Sequence, residues 1–157
     1  MSMPQSAVSE YIDLLSGDEK AKRALFACSA ALSLNDAIAR QAIGLVTQSD
    51  GSTESLLRRV KSLGCVWTQW DGTWYIAEDI RPHLLEHLSE NVPVETQLLL
   101  RKRLLELAEN SAQAYSSDGQ ITAFRKHRAK FEAAYQRTLI PDQTEKGAQQ
   151  LAELWQN

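Results

Sequence analysis

Residues 68–76 read TQWDGTWYI, an Asp71-Gly72 pair with aromatic residues on both sides. Asp-Gly inside an alternating hydrophobic pattern is a strong short-range signal for a β-hairpin. Taken as a two-residue turn, it pairs Trp70 with Thr73, Gln69 with Trp74, Thr68 with Tyr75 and Trp67 with Ile76. Side chains alternate between faces along a strand. This register therefore sets Trp67, Trp74 and Ile76 on one face with Gln69. Val66, Thr68, Trp70, Thr73 and Tyr75 share the other. The first face is expected to be core, packed on Leu56, Val60 and Leu63, and Trp70 is expected near the surface. The second face carries Trp70 and Tyr75 on a diagonal, within reach of each other. Either the chain's own helices cover that face, or the aromatic pair anchors a protein partner.

Everything around the hairpin reads as helix. Residues 5–15 space Val8, Tyr11, Ile12 and Leu15 helically, with Gly17 as a stop. Asp18 is a capping residue for EKAKRALFACSAAL, and Asn35 for DAIARQAIGLV. TQSDGS then breaks the chain. Ser52 or Thr53 starts ESLLRRVKSL, whose Leu56, Leu57, Val60 and Leu63 share one face, and Gly64 is expected to close it as a C-terminal cap. Beyond the hairpin, EDIRPHLLEHLSE restarts a helix with Pro82 in its first turn. A long helix is expected from Val94, then a turn at SSDG. Another helix runs from QITAF to a stop before Pro141, and TEKGAQQLAELWQ is the last. The sequence ends within a helix-like run, as expected of a piece of a longer protein or of a docked C-terminal helix. The organisation expected is an N-terminal helix (1–18), a hairpin-bearing domain (19–91) and a helical extension (92–157).

Composition narrows the function. The 157 residues are 43% hydrophobic, enough for a core, and the net charge of −3 gives no global pull toward nucleic acid or anionic membrane. The N-terminus lacks the basic start and apolar run of a secretion signal. No apolar stretch approaches the roughly 20 residues needed to cross a bilayer. Cys28 and Cys65 sit in apolar contexts and read as buried, reduced thiols. A cytoplasmic protein with no membrane association is the expectation.

The order helix, helix, helix, hairpin over about residues 21–90 resembles a winged helix-turn-helix domain, with STESLLRRVKSLGCV similar to its third helix and first wing strand. More narrowly, SLLRRVKSLGCVWTQWDGTWYIAEDIRPHLLEHLSE resembles the winged-helix module of STAND signalling ATPases, the NB-ARC-like regulators. Tyr75, Ile76, Arg81, Leu84, Leu85 and Leu88 occupy comparable places. The resemblance implies a regulatory, protein-interaction role. No GxxxxGK[ST] phosphate loop occurs, so the similarity is to the module without its ATPase, and no cofactor is implied. FEAAYQRTLIPD resembles the second helix of a tetratricopeptide repeat, with Ala134, Tyr135, Leu139 and Pro141 in place. The fold class expected is mostly α with one β-hairpin, a winged helix plus a helical extension.

Many winged helices bind DNA through the third helix. Here that helix, residues 52–63, would offer Ser52, Thr53, Ser55, Arg58, Arg59 and Lys61. Against this stand Asp50, Glu54, a wing tip bearing Asp71, and Glu78-Asp79. The wing carries no Arg or Lys, which thins the phosphate neutralisation on which non-specific affinity rests. DNA binding is the alternative to a protein-interaction role. FRKHRAKF places Arg125, Lys126, Arg128 and Lys130 around His127, a solvated helix face or a contact for an acidic partner or phosphate. His83-Leu-Leu-Glu-His87 matches the H-x-x-E-H zinc motif in form, but the large enzyme body around such a motif is missing and no Cys/His cluster has zinc spacing. The chain is read as no enzyme and as holding no metal. The partner-binding residues expected are Trp70, Tyr75, Arg125, Lys126 and Arg128. The sequence leaves the partner and the oligomeric state open.

Overall fold

The computed structural model describes residues 3–48, 52–115 and 119–156, with residues 3–6 by their backbone alone. The break at residues 49–51, which includes Asp50, and most of the SSDG turn (residues 116–118) lie outside the described residues. The protein is mostly α with one antiparallel hairpin, as the sequence predicts. The chain divides into two compact units, Met1–Leu100 and Arg101–Asn157.

The first unit holds α1 (Met3–Leu14), α2 (Glu19–Ser29), α3 (Asp36–Thr47) and α4 (Thr53–Lys61). β1 (Val66–Thr68), β2 (Trp74–Ile76), α5 (Arg81–Asn91) and the start of α6 (Val94–Ala114) complete it. Short polar side chains set two of the helix starts. Asp18 accepts from the Ala21 N–H at 3.0 Å and Asn35 from the Ile38 N–H at 2.8 Å, each satisfying a donor that a helix leaves open. α4 starts after Ser52, whose side chain makes no capping bond. It ends at Lys61, ahead of the expected glycine stop: Ser62 is still right-handed, and Gly64 is not in the left-handed region that a glycine cap uses. The core of this unit draws on its helices and on β2. Leu25, Ala27 and Cys28 of α2 are fully buried with Ile43 of α3, Val60 of α4 and Leu84 of α5. Phe26 of α2 stacks on His87 of α5 at 5.4 Å and 8°. Burial pushes the Cys65 thiol up to about 11 and raises that of Cys28 further, so both remain protonated at neutral pH.

The hairpin register differs from the expected one by a residue. Val66 pairs with Ile76, Trp67 with Tyr75 and Thr68 with Trp74. The loop is three residues long rather than two. The Gln69 N–H donates to the Thr73 carbonyl at 2.7 Å, and the Gly72 N–H to the Gln69 carbonyl at 3.1 Å. Trp70 and Asp71 thus occupy the middle of the turn, and Gly72 takes a left-handed φ of +84°. A turn followed by a left-handed glycine is the usual three-residue hairpin connection. The Asp71 carboxylate stabilises it by accepting from the Thr73 N–H at 3.2 Å and its hydroxyl at 2.6 Å. A one-residue shift moves every side chain of one strand to the other face. Trp67, expected in the core, is therefore 56% exposed, whereas Trp74 and Ile76 are buried at 0% and 1%.

β2 has a second neighbour. Leu34, between α2 and α3, exchanges two backbone hydrogen bonds with Trp74, each 2.8 Å. Backbone bonds at Cys65/Ala77 and Gln69/Thr73 join β1 to β2 at alternate pairs. The N–H and C=O of Trp74 fall between them and point away from β1, where Leu34 receives them.

In the second unit, α7 (Gln120–Thr138) and α8 (Thr144–Gln156) form an antiparallel helical hairpin, and side-chain bonds tie α7 to α6. Gln136 of α7 is fully buried, and its carbonyl accepts from Arg101 of α6 at 3.1 Å while its amide donates to Glu132 at 3.2 Å. Arg137 reaches Glu109 of α6 at 2.9 Å and Gln150 of α8 at 2.6 Å. Among the described residues no helix is long and apolar enough to cross a membrane.

α8 crosses α7 at Gly147. A Cβ there would lie 2.6 Å from the Thr138 nitrogen and 2.8 Å from the Ala134 carbonyl oxygen, both backbone atoms that cannot step aside. Helix propensity alone favours alanine over glycine by about 1 kcal/mol. Gly147→Ala is nonetheless expected to destabilise the protein by about 1–3 kcal/mol, as overpacking does. Urea unfolding followed by circular dichroism checks this, and a neutral or stabilising result would mean that α8 lies further from α7.

Candidate functional site

Two regions of the first unit bear on function: the outward surface of α4, and the face of the hairpin turned away from the core.

α4 carries the cations expected to meet DNA, and two of them are already paired. Arg59 donates to the Asp18 carboxylate at 2.6 Å and to the Leu14 carbonyl at 3.4 Å, tying α4 to the start of α2 and the end of α1. Lys61 donates to both oxygens of Asp36, at 2.9 and 3.2 Å. Glu54, at the start of α4, accepts from Arg40 of α3 at 2.7 Å. Ser55 and Arg58 are exposed, Ser52 and Thr53 half-buried. The helix thus presents Arg58 outward next to the Glu54–Arg40 pair.

Asp36 is the centre of the unit's polar contacts. Its Oδ1 also accepts from the indole N–H of buried Trp74 at 3.0 Å, and the Lys61 ammonium lies 6.0 Å from that ring's centroid. One carboxylate at the first position of α3 thus joins the end of α4 to the first residue of β2. The Lys61 hydrogen bond, helped by the Trp74 N–H, holds the Asp36 carboxyl below its usual range despite partial burial.

On the other face of the hairpin, Trp67 and Tyr75 stand opposite one another, their rings 6.3 Å apart and tilted by 59°. The Trp67 indole N–H donates to the Gly64 carbonyl at 3.2 Å, which fixes the ring at the foot of β1. The two rings, with Leu32, Gln69, Ala77, Glu78 and Asp79, line an open groove of about 560 Å³. Trp70, at the turn, is 69% exposed. The expected Trp70–Tyr75 pairing is replaced by Trp67–Tyr75, because the register places Trp67, not Trp70, on the Tyr75 face.

The remaining candidates lie apart from this groove along the chain. Arg125, Lys126 and Arg128 are half-buried on α7, in the second unit. The Arg128 guanidinium lies 5.6 Å from the ring of Phe124, which is 50% exposed. Of the H-x-x-E-H pair, His87 is taken up by its stack on Phe26. Among the described residues no three His, Cys, Asp or Glu side chains are placed to hold a metal. Sequence reasoning missed Trp67 as an exposed aromatic, and it missed Asp36. The first needed the loop length, and the second a contact between residues 38 positions apart. Arg81 and the leucines after it, singled out by resemblance, are structural: Leu84 and Leu88 are buried and Arg81 reaches the Ser29 carbonyl at 3.5 Å.

Comparison of the chain with protein-family models, with curated proteins and with solved structures finds no match.

The depressed Asp36 carboxyl links stability to pH. A group whose pKa falls on folding stabilises the native state above its unfolded value, near 3.8. That contribution is lost as pH falls through the lower folded value. Asp36→Asn keeps an acceptor for Trp74 but removes the charge facing Lys61. It is expected to be less stable than the wild type at pH 7, by at most about 1 kcal/mol because the pair is well exposed. The difference should shrink as pH drops below about 4. Denaturant melts at both pH values check this; a difference that grows in acid would contradict it.

Proposed function

We propose that this protein is a non-catalytic regulatory or protein-interaction module built on a winged helix. The order α2, the Leu34 bridge, α3, α4, β1, β2 supports the winged-helix reading. In that reading α4 is the third helix, the loop Trp70–Gly72 is the wing tip, and Leu34 marks a short first strand against β2. A cytoplasmic location fits the same reading.

The observation that carries the interaction role is the wing itself. Residues 66–77 contain no lysine or arginine, and their exposed side chains include Trp67 and Trp70. Large exposed aromatics are enriched at the centres of protein interfaces. Duplex binding needs cations to displace counterions from phosphate, yet Arg59 and Lys61 of α4 already face Asp18 and Asp36. The DNA-binding alternative keeps Ser52, Thr53, Ser55 and Arg58 of the helix surface it needs.

Titration with random-sequence duplex DNA separates the two. The module reading expects binding no tighter than the non-specific range of about 10⁻⁴ to 10⁻⁶ M, and lost with added salt. A sub-micromolar complex at physiological salt, abolished by Arg58→Glu at its exposed position, would overturn it in favour of a DNA-binding regulator.

A further inference from the structure

We propose that the groove between Trp67 and Tyr75 receives an arginine or lysine side chain from a basic peptide segment of a partner protein. The inference rests on the interaction-module reading and names the chemistry of the partner.

The groove offers two aromatic rings meeting at an angle, 59° apart with centroids 6.3 Å from each other. Two rings in that arrangement give a flat cation more than one π-face within the roughly 6 Å over which cation–π attraction acts. Glu78 and Asp79 stand exposed at the rim immediately after β2, and neither forms a salt bridge among the described residues. The π-faces and the carboxylates favour the same occupant, a cation with an apolar stem. The stem would lie against Leu32 and Ala77, which also line the groove. The same charges argue against a nucleic acid strand: the rings would suit a base, but Glu78 and Asp79 would meet its phosphates. The volume of about 560 Å³ exceeds one side chain and leaves room for neighbouring peptide residues. The site is also pre-formed. Trp67 is held by Gly64 and Tyr75 by its place in β2, so little ordering is required on binding.

The test is selection from a random linear peptide library displayed on phage against the full chain. Selected peptides are then synthesised and their affinities measured by fluorescence anisotropy. The expected result is enrichment of Arg or Lys, with binding that weakens as salt is raised. Trp67→Ala should weaken it by about tenfold or more, as should Glu78→Gln combined with Asp79→Asn. Trp155→Ala, at an exposed tryptophan of α8 in the second unit, should leave it unchanged. All these positions are exposed, and melting curves confirm that the variants fold. Apolar or acidic peptides that still depend on Trp67 would overturn the cationic occupant while leaving the interaction reading standing. Basic peptides bound equally by wild type and variants would overturn the groove. A library yielding no binder would overturn the inference, and the duplex titration then decides the reading beneath it.

Discussion

The indole N–H of Trp74 donating to Asp36 is the contact on which the first unit depends. Trp74 is wholly buried, so its N–H needs a partner inside the protein. The partner it finds is a carboxylate that also holds Lys61. Three elements distant in sequence, β2, the start of α3 and the end of α4, are thereby fixed to one another. The backbone of the same residue bonds Leu34 on the side away from β1. A single tryptophan thus anchors the hairpin through both its side chain and its main chain. The surface consequence follows directly. With Trp74 inward and the register set by a three-residue loop, Trp67 and Tyr75 must face outward.

The fixing of Lys61 and Arg59 ties this architecture to function. Cations at the end of α4 would belong to a DNA-reading surface if their charges were free of carboxylate partners. Here they hold α4 against α3 and against the junction of α1 and α2. These exposed pairs each contribute little to stability, about 1 kcal/mol or less, but together they orient the helix. What the hairpin leaves open, with Glu78 and Asp79 beside it, is aromatic and acidic rather than basic.

Much of this was legible in the sequence. Amphipathic spacing located the helices, Asp18 and Asn35 announced two of their starts, and TQWDGTWYI announced the hairpin. Those signals are local, carried by residues within a turn or two of the structure they specify. The register was not legible, because Asp-Gly serves equally in a two-residue turn and before a left-handed glycine in a three-residue one. The choice rests on Asp71 bonding Thr73 and on Leu34 pairing with Trp74. Those preferences put Trp67 rather than Trp70 beside Tyr75. Gly147 was equally opaque: as a residue it reads as a weak point in a helix, and only the approach of α8 to the backbone of α7 gives it a reason.

The central claim is that Trp74 is the anchor and Trp67 the open face. Equilibrium unfolding of Trp74→Ala and Trp67→Ala tests it most directly. The account predicts a loss of about 3–5 kcal/mol for Trp74→Ala, as for other large aromatic deletions from a core. For Trp67→Ala it predicts about 1 kcal/mol or less, as expected of an exposed position with one weak hydrogen bond. Equal large losses, or a greater loss at Trp67, would contradict the register and with it the outward-facing aromatic groove.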